Sequence, residues 1–108
     1  GITRFAHSYV SFDETLTRSV IDLCNRPYFI WNVKTSLEKV GDMDQELFPE
    51  FFKSIVTESK MNCHIETLYG KNNHHIIESC FKSFAISLKK AISIDPKNIN
   101  IPSSKGKL

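Results

Sequence analysis

His74 and His75 are adjacent, and Glu78 and Lys82 follow His74 at steps of four within Gly70-Lys71-Asn72-Asn73-His74-His75-Ile76-Ile77-Glu78-Ser79-Cys80-Phe81-Lys82. On a helix, His74, Glu78 and Lys82 fall along one line, and His75 stands three residues before Glu78 on its flank. Both imidazoles can then stand near the carboxylate. Two ring nitrogens and a hard oxygen form a donor set for a divalent cation. The histidines open the helix, where the positive end of its dipole disfavours the imidazolium and keeps each ring neutral, as a ligand must be. Neighbouring helical residues diverge by about 100° around the axis, so His74 and His75 do not readily share an ion. Two ions, or one ion shared between parts of an assembly, suit that spacing. The plainer alternative is a pair of surface histidines beside a solvated Glu78 paired to Lys82.

The helix carrying these groups is expected from about Asn73 to Ser93. Asn72 or Asn73 caps its start, Ile77, Phe81, Phe84, Leu88 and Ile92 recur as a core stripe, and Asp95-Pro96 stops it. Lys89 and Lys90 complement its C-terminal end. Upstream, Ile2–Val10, Leu16–Leu23 and Tyr28–Val33 read as three strands, broken at residues 11–14 and by the turn signal Asn25-Arg26-Pro27. In sequence they suggest a meander. Residues 34–42, with Gly41, read as a loop before a helix that Asp44 could cap and whose Leu47, Phe48, Phe51, Phe52, Ile55 and Val56 face the sheet. Pro49 is tolerated only in a first turn, so that helix is irregular at its start or begins later. Asn62–Tyr69 alternates as a fourth strand, with His64 a structural strand histidine. The order is β-β-β-α-β-α: an α+β domain with an antiparallel-rich four-stranded sheet and both helices on one face. On residue type alone, Arg4, Arg26 and Glu50 are solvated charges at element ends or off the apolar face.

The 108 residues form one small domain or a piece of one, and 41% hydrophobic content with 11% aromatic is enough for a packed core without staples. A formal charge of +2 from 14 basic and 12 acidic residues gives no case for a nucleic-acid or membrane surface. Cys24, Cys63 and Cys80 are odd in number and lack C-x-x-C spacing, which suits reduced thiols in a cytoplasmic protein. No apolar run approaches the roughly 20 residues of a membrane span. The chain opens at Gly1 without a signal pattern, as a processed or truncated product would.

The segment from Gly70 to Lys82 resembles the second signature of the imidazole glycerol phosphate dehydratase family, Gly-x-Asn-x-His-His-x-x-Glu-x-x-Phe-Lys. Gly-Ile-x-Arg-Phe at residues 1–5 and Asn-Arg-Pro-Tyr at 25–28 are similar to family segments whose arginines contact the substrate phosphate or its surroundings. Pro49-Glu50-Phe51-Phe52 is similar to a segment carrying a metal histidine, with Glu50 at that position, and Pro102-Ser103-Ser104-Lys105-Gly106 to one that closes over the phosphate.

The resemblance implies a metal-dependent hydro-lyase of histidine biosynthesis, which dehydrates imidazole glycerol phosphate to imidazole acetol phosphate. It implies His74, His75, Glu78 and Glu50 as metal ligands, and Arg4, Arg26, Lys82, Ser103, Ser104 and Lys105 as substrate contacts. Guanidinium, ammonium and hydroxyl groups all suit a phosphate. Two Mn²⁺ ions per complete site, holding the substrate ring as an imidazolate, are the implied cofactors, and Zn²⁺ or Mg²⁺ meets the same donors. No residue is singled out as the general base. The family fold is a tandem duplication, so residues 1–108 correspond to its C-terminal half-domain. The N-terminal half and a large homo-oligomer would complete the site, leaving this chain a poor catalyst alone. Two other classes fit the pattern: a phosphate- or RNA-binding module, with metal-independent and salt-sensitive binding, and a half-length self-assembling protein with a structural His/Glu metal site.

Overall fold

A computed structural model describes residues 1–36 and 39–97. Strands β1 (Phe5–Phe12), β2 (Thr15–Asp22) and β3 (Tyr28–Asn32) are followed by helix α1 (Leu47–Ser59), strand β4 (Asn62–Tyr69) and helix α2 (Asn73–Ile92). The element order is as the sequence suggests, but the three-strand meander is not formed. The four-stranded sheet runs β1-β2-β4-β3, with β1, β2 and β4 antiparallel and β3 parallel to β4. The physical reason lies in the connection through α1. A helical crossover returns the chain in the direction of the strand it left, so β4 lies parallel to β3. The slot between β2 and β3 suits β4, whose inward Cys63 and Ile65 are fully buried, whereas Phe29 and Trp31, which pair with them from the edge strand, are only partly buried.

Alternation places Ser8, Thr17, Ser19, Ile21, Cys63 and Ile65 on the covered face. Both helices pack there. Phe52 of α1 is fully buried, stacked on Trp31 at 5.5 Å between ring centroids, and meets Phe81 and Phe84 of α2 at 4.8 and 5.2 Å. Leu47 and Phe51 of the expected apolar face stay about half exposed. Helix α1 begins after Glu46 without a side-chain cap; Asp44 contributes only its carbonyl, accepting from Leu47 N at 3.1 Å. That later start leaves Pro49 in the first turn.

The face that α2 buries is rotated from the apolar stripe. Ile92 is 55% exposed, while Ser79, Ser83 and Ser87 are fully buried. Their hydroxyls interlock with β1 and β2: Ser87 Oγ lies 2.9 Å from Ser8 Oγ and 2.6 Å from Ser19 Oγ, and Ser79 Oγ lies 2.6 Å from Thr17 Oγ1. Ser8 and Ser19 each donate to the Ser83 carbonyl at 2.7 Å. Small side chains let the helix approach the sheet closely, and each buried hydroxyl finds a partner. The seam fixes which side of α2 faces outward.

Candidate metal and substrate site

The outward side carries His74, Glu78 and Lys82. Asn72 caps α2, its Oδ1 accepting from His75 N at 3.1 Å, and Asn73 reaches away to Ser36. Glu78 then takes two partners along the helix, His74 Nε2 at 3.2 Å and Lys82 Nζ at 2.9 Å. The Lys82 ammonium, hydrogen-bonded to Glu78, holds its carboxyl below the ordinary carboxylate value, and His74 acts in the same direction.

His75 does not join them. Its ring is 6.4 Å from that of His74 and at 89° to it, and it turns to the β1–β2 loop. There Glu14 Oε1 lies 2.5 Å from Nδ1, Asp13 Oδ2 lies 3.7 Å from Nε2, and the Phe12 ring stacks on the imidazole at 4.2 Å and 18°. The expectation that both imidazoles stand beside Glu78 is thereby corrected. Divergence around the helix axis aims the two rings at different carboxylates.

Strand pairing explains why this loop is available. Strand β4 runs antiparallel to β2 and ends with Tyr69 opposite Leu16, so residues 70–72 arrive beside the loop that joins β1 to β2. That loop has only two residues, with Asp13 at φ +47°, a conformation that aspartate tolerates better than most residues. Gly70 crosses Thr15 so closely that a Cβ would meet Thr15 Oγ1 at 2.5 Å and Ile76 Cγ1 at 3.0 Å. The Lys71 and Asn72 backbone N–H groups donate to Glu14 Oε2 at 2.8 and 3.1 Å. Those bonds, with the Thr15 hydroxyl and His75, hold the Glu14 carboxyl far below the usual carboxylate range.

The other expected groups lie elsewhere. Arg4 precedes β1 at the C-terminal end of α2, where its N–H donates to the Ala91 carbonyl at 2.8 Å. Its Nε is paired with Asp22 at 2.8 Å, its guanidinium lies over the Phe5 ring, and its backbone has φ +72°. Arg26 is exposed in the link between β2 and β3, at the same end of the sheet. Ala91 and His75 are separated by about 24 Å of helix, so one copy of this fold cannot bring these arginines to the imidazoles. Glu50 is exposed on the first turn of α1, in a shallow groove with Lys53, Ser54, Thr57 and Glu58. Ser103, Ser104 and Lys105 lie outside the described residues. Among the described residues no three His, Cys, Asp or Glu side chains converge as a metal site. Burial pushes the Cys63 and Cys80 thiols up to about 12, which keeps them protonated. No described helix is long and apolar enough to cross a membrane.

Sequence reasoning missed Glu14, Asp13 and Phe12. They look like a strand break, and only the pairing of β1, β2 and β4 brings them within reach of a histidine 61 residues away.

Comparison with known proteins points to one family. The imidazoleglycerol-phosphate dehydratase family profile matches residues 1–88. The imidazoleglycerol-phosphate dehydratase of Phenylobacterium zucineum is 50% identical over 109 residues, covering 100% of this chain and 56% of its own length. That of Magnetococcus marinus is 49% identical, again over 100% of this chain and 55% of the relative. The crystal structure of the Staphylococcus aureus enzyme superimposes with a TM-score of 0.85 at 40% identity, over 87% of this chain and 55% of that one. The Pyrococcus furiosus structure, in complex with (S)-C348, gives 0.82 at 30% identity, over 98% and 58%. The chain spans about half the length of the relatives it matches. It belongs to the imidazoleglycerol-phosphate dehydratase family.

Proposed function

We propose that this chain supplies half of a metal-dependent hydro-lyase site, which removes water from imidazole glycerol phosphate to give imidazole acetol phosphate in histidine biosynthesis. The observation that carries the reading is the separation of functional groups along α2. Two imidazoles with their carboxylates lie at one end of the fold and two arginines at the other.

His74, His75 and Glu78 fit a divalent cation as nitrogen and oxygen donors: they share one helix end and stay partly exposed, with side chains 64%, 23% and 36% accessible. They are two or three ligands, whereas an octahedral ion such as Mn²⁺ takes about six, so the rest come from another half or another copy. Glu50 is a candidate to serve as one of those ligands across such a boundary. When bound, the metal would act as a Lewis acid on the substrate imidazole. Arg4, Arg26 and Lys82 would hold the phosphate, which keeps the glycerol carbons fixed relative to the ring. Such a site belongs to a large homo-oligomer and to a cytoplasmic enzyme.

A mixing experiment tests the shared site. The chain is joined after the matching first half of the Phenylobacterium zucineum relative, and His75→Ala and Arg26→Ala versions are each prepared. Each alone should be nearly inactive. Refolded together at equal amounts, they should restore activity in about a quarter of the sites, because closed symmetric assemblies pair the intact end of one copy with that of another. No recovery in assemblies shown to be mixed would rule out sharing between copies.

A further inference from the structure

Glu14 is held at both of its oxygens by different parts of the fold. Oε2 accepts from Lys71 N at 2.8 Å, Asn72 N at 3.1 Å and Thr15 Oγ1 at 2.5 Å, which leaves Oε1 to face His75 Nδ1 at 2.5 Å. The ring is fixed in its remaining degrees of freedom as well. Phe12 stacks on it at 4.2 Å and 18°, and the helix start that carries it is capped by Asn72. A carboxylate that has already accepted three hydrogens offers Nδ1 an acceptor and no donor.

We propose that Glu14 is a positioning residue which selects the Nδ1–H tautomer of His75 and turns its Nε2 lone pair toward a metal ion. The neutral imidazole carries one proton, and the hydrogen bond made by one nitrogen decides which lone pair the other presents. Asp13 Oδ2, an acceptor at 3.7 Å from Nε2 and 75% exposed on its side chain, is too far to hold the ring proton on that nitrogen instead. Among the described residues His74 has no counterpart to this clamp: its Nε2 faces Glu78 from the same helix face. The two histidines are thus prepared differently. His75 is fixed by a loop distant in sequence, and His74 by a neighbour one turn away. The proposal rests on the metal reading above for its purpose, but the tautomer itself does not require a metal.

Glu14→Gln separates positioning from simple structural support. A glutamine oxygen still accepts from the Lys71 and Asn72 N–H groups, which keeps the loop docked. Its amide NH₂ then faces Nδ1 as a donor. In the 108-residue chain, at a pH where the ring is neutral, long-range proton–nitrogen correlation should show Nδ1 protonated for His75, and Glu14→Gln should move the proton to Nε2. Broadening of the His75 signals by added Mn²⁺ should then require about 10–100-fold more ion in Glu14→Gln. Glu14→Ala provides a second variant, in which His75 should show a mixture of tautomers. Protonation of His75 at Nε2 in the unmodified chain, or an unchanged tautomer in folded Glu14→Gln, would overturn the proposal. Failure of Mn²⁺ to broaden His75 in any of these chains, with the tautomers as expected, would count against the metal reading alone.

Discussion

Replacing His75 by alanine in the joined polypeptide should lower turnover of imidazole glycerol phosphate by roughly 10³-fold while leaving the fold intact. Removing an imidazole ligand takes away a charge-stabilising contact worth several kcal/mol in the transition state, and each 1.36 kcal/mol is about tenfold in rate. The structural loss should be small. The His75 side chain is 23% accessible, it lies outside the hydrophobic core cluster, and its backbone N–H, which carries the cap to Asn72, survives the substitution. The loss should fall on kcat and persist at saturating substrate, with helical content and melting temperature close to those of the parent. Activity retained within a factor of about three would remove His75 from the ligand set.

The largest effect on stability should come from Phe52→Ala. Phe52 is fully buried where the two helices meet the sheet, with rings of Trp31, Phe51, Phe81 and Phe84 around it at 4.8 to 5.6 Å. Deleting a buried phenylalanine ring costs about 3–5 kcal/mol, because the transfer energy is lost and the cavity closes only in part. Small domains have about 5–15 kcal/mol in total, so this change consumes much of the margin. Urea unfolding should show the free energy of unfolding lowered by that amount and the midpoint displaced in proportion. Phe51→Ala, one residue away and half exposed, should cost far less. Equal losses for the two would mean that α1 packs differently from the arrangement described.

Local patterns located the elements well. Alternation, β-branched and aromatic composition and turn signals together found the four strands to within a few residues, and Asn72 and the line of His74, Glu78 and Lys82 were legible because helix geometry is local. Strand order was not legible. Tyr28–Asn32 has the composition of a strand wherever it pairs, and nothing within it tells that β4 will enter between it and β2. The same limit hid the clamp on His75. Glu14 is tied to that histidine by a hairpin, an antiparallel pairing and a glycine crossing, none of which leaves a mark in the residues near either group. The buried serines show the converse case. At steps of four they line the helix face against the sheet, but polar residues on a helix suggest the solvent side until the hydroxyls of Ser8, Ser19 and Thr17 are found opposite them.

Under the proposed function, Arg4 and Arg26 are groups that one copy of the domain cannot use together with its histidines. The Arg4 guanidinium is already engaged by Asp22 and stacked over Phe5, and both arginines lie at the far end of α2 from the histidines. A substrate with only a three-carbon chain between ring and phosphate cannot reach both ends of one copy. Phosphate binding by these arginines therefore requires the opposite ends of two copies, or of two halves, to face each other.

The most direct measurement is the conversion of imidazole glycerol phosphate to imidazole acetol phosphate by the joined polypeptide, with Mn²⁺ present and again after chelation. The account predicts turnover with Mn²⁺, loss of at least about 10³-fold on chelation, and recovery when the ion is returned. A folded, Mn²⁺-loaded assembly that leaves the substrate unchanged would contradict it and would show that the His74, His75 and Glu78 helix serves a structural metal site instead.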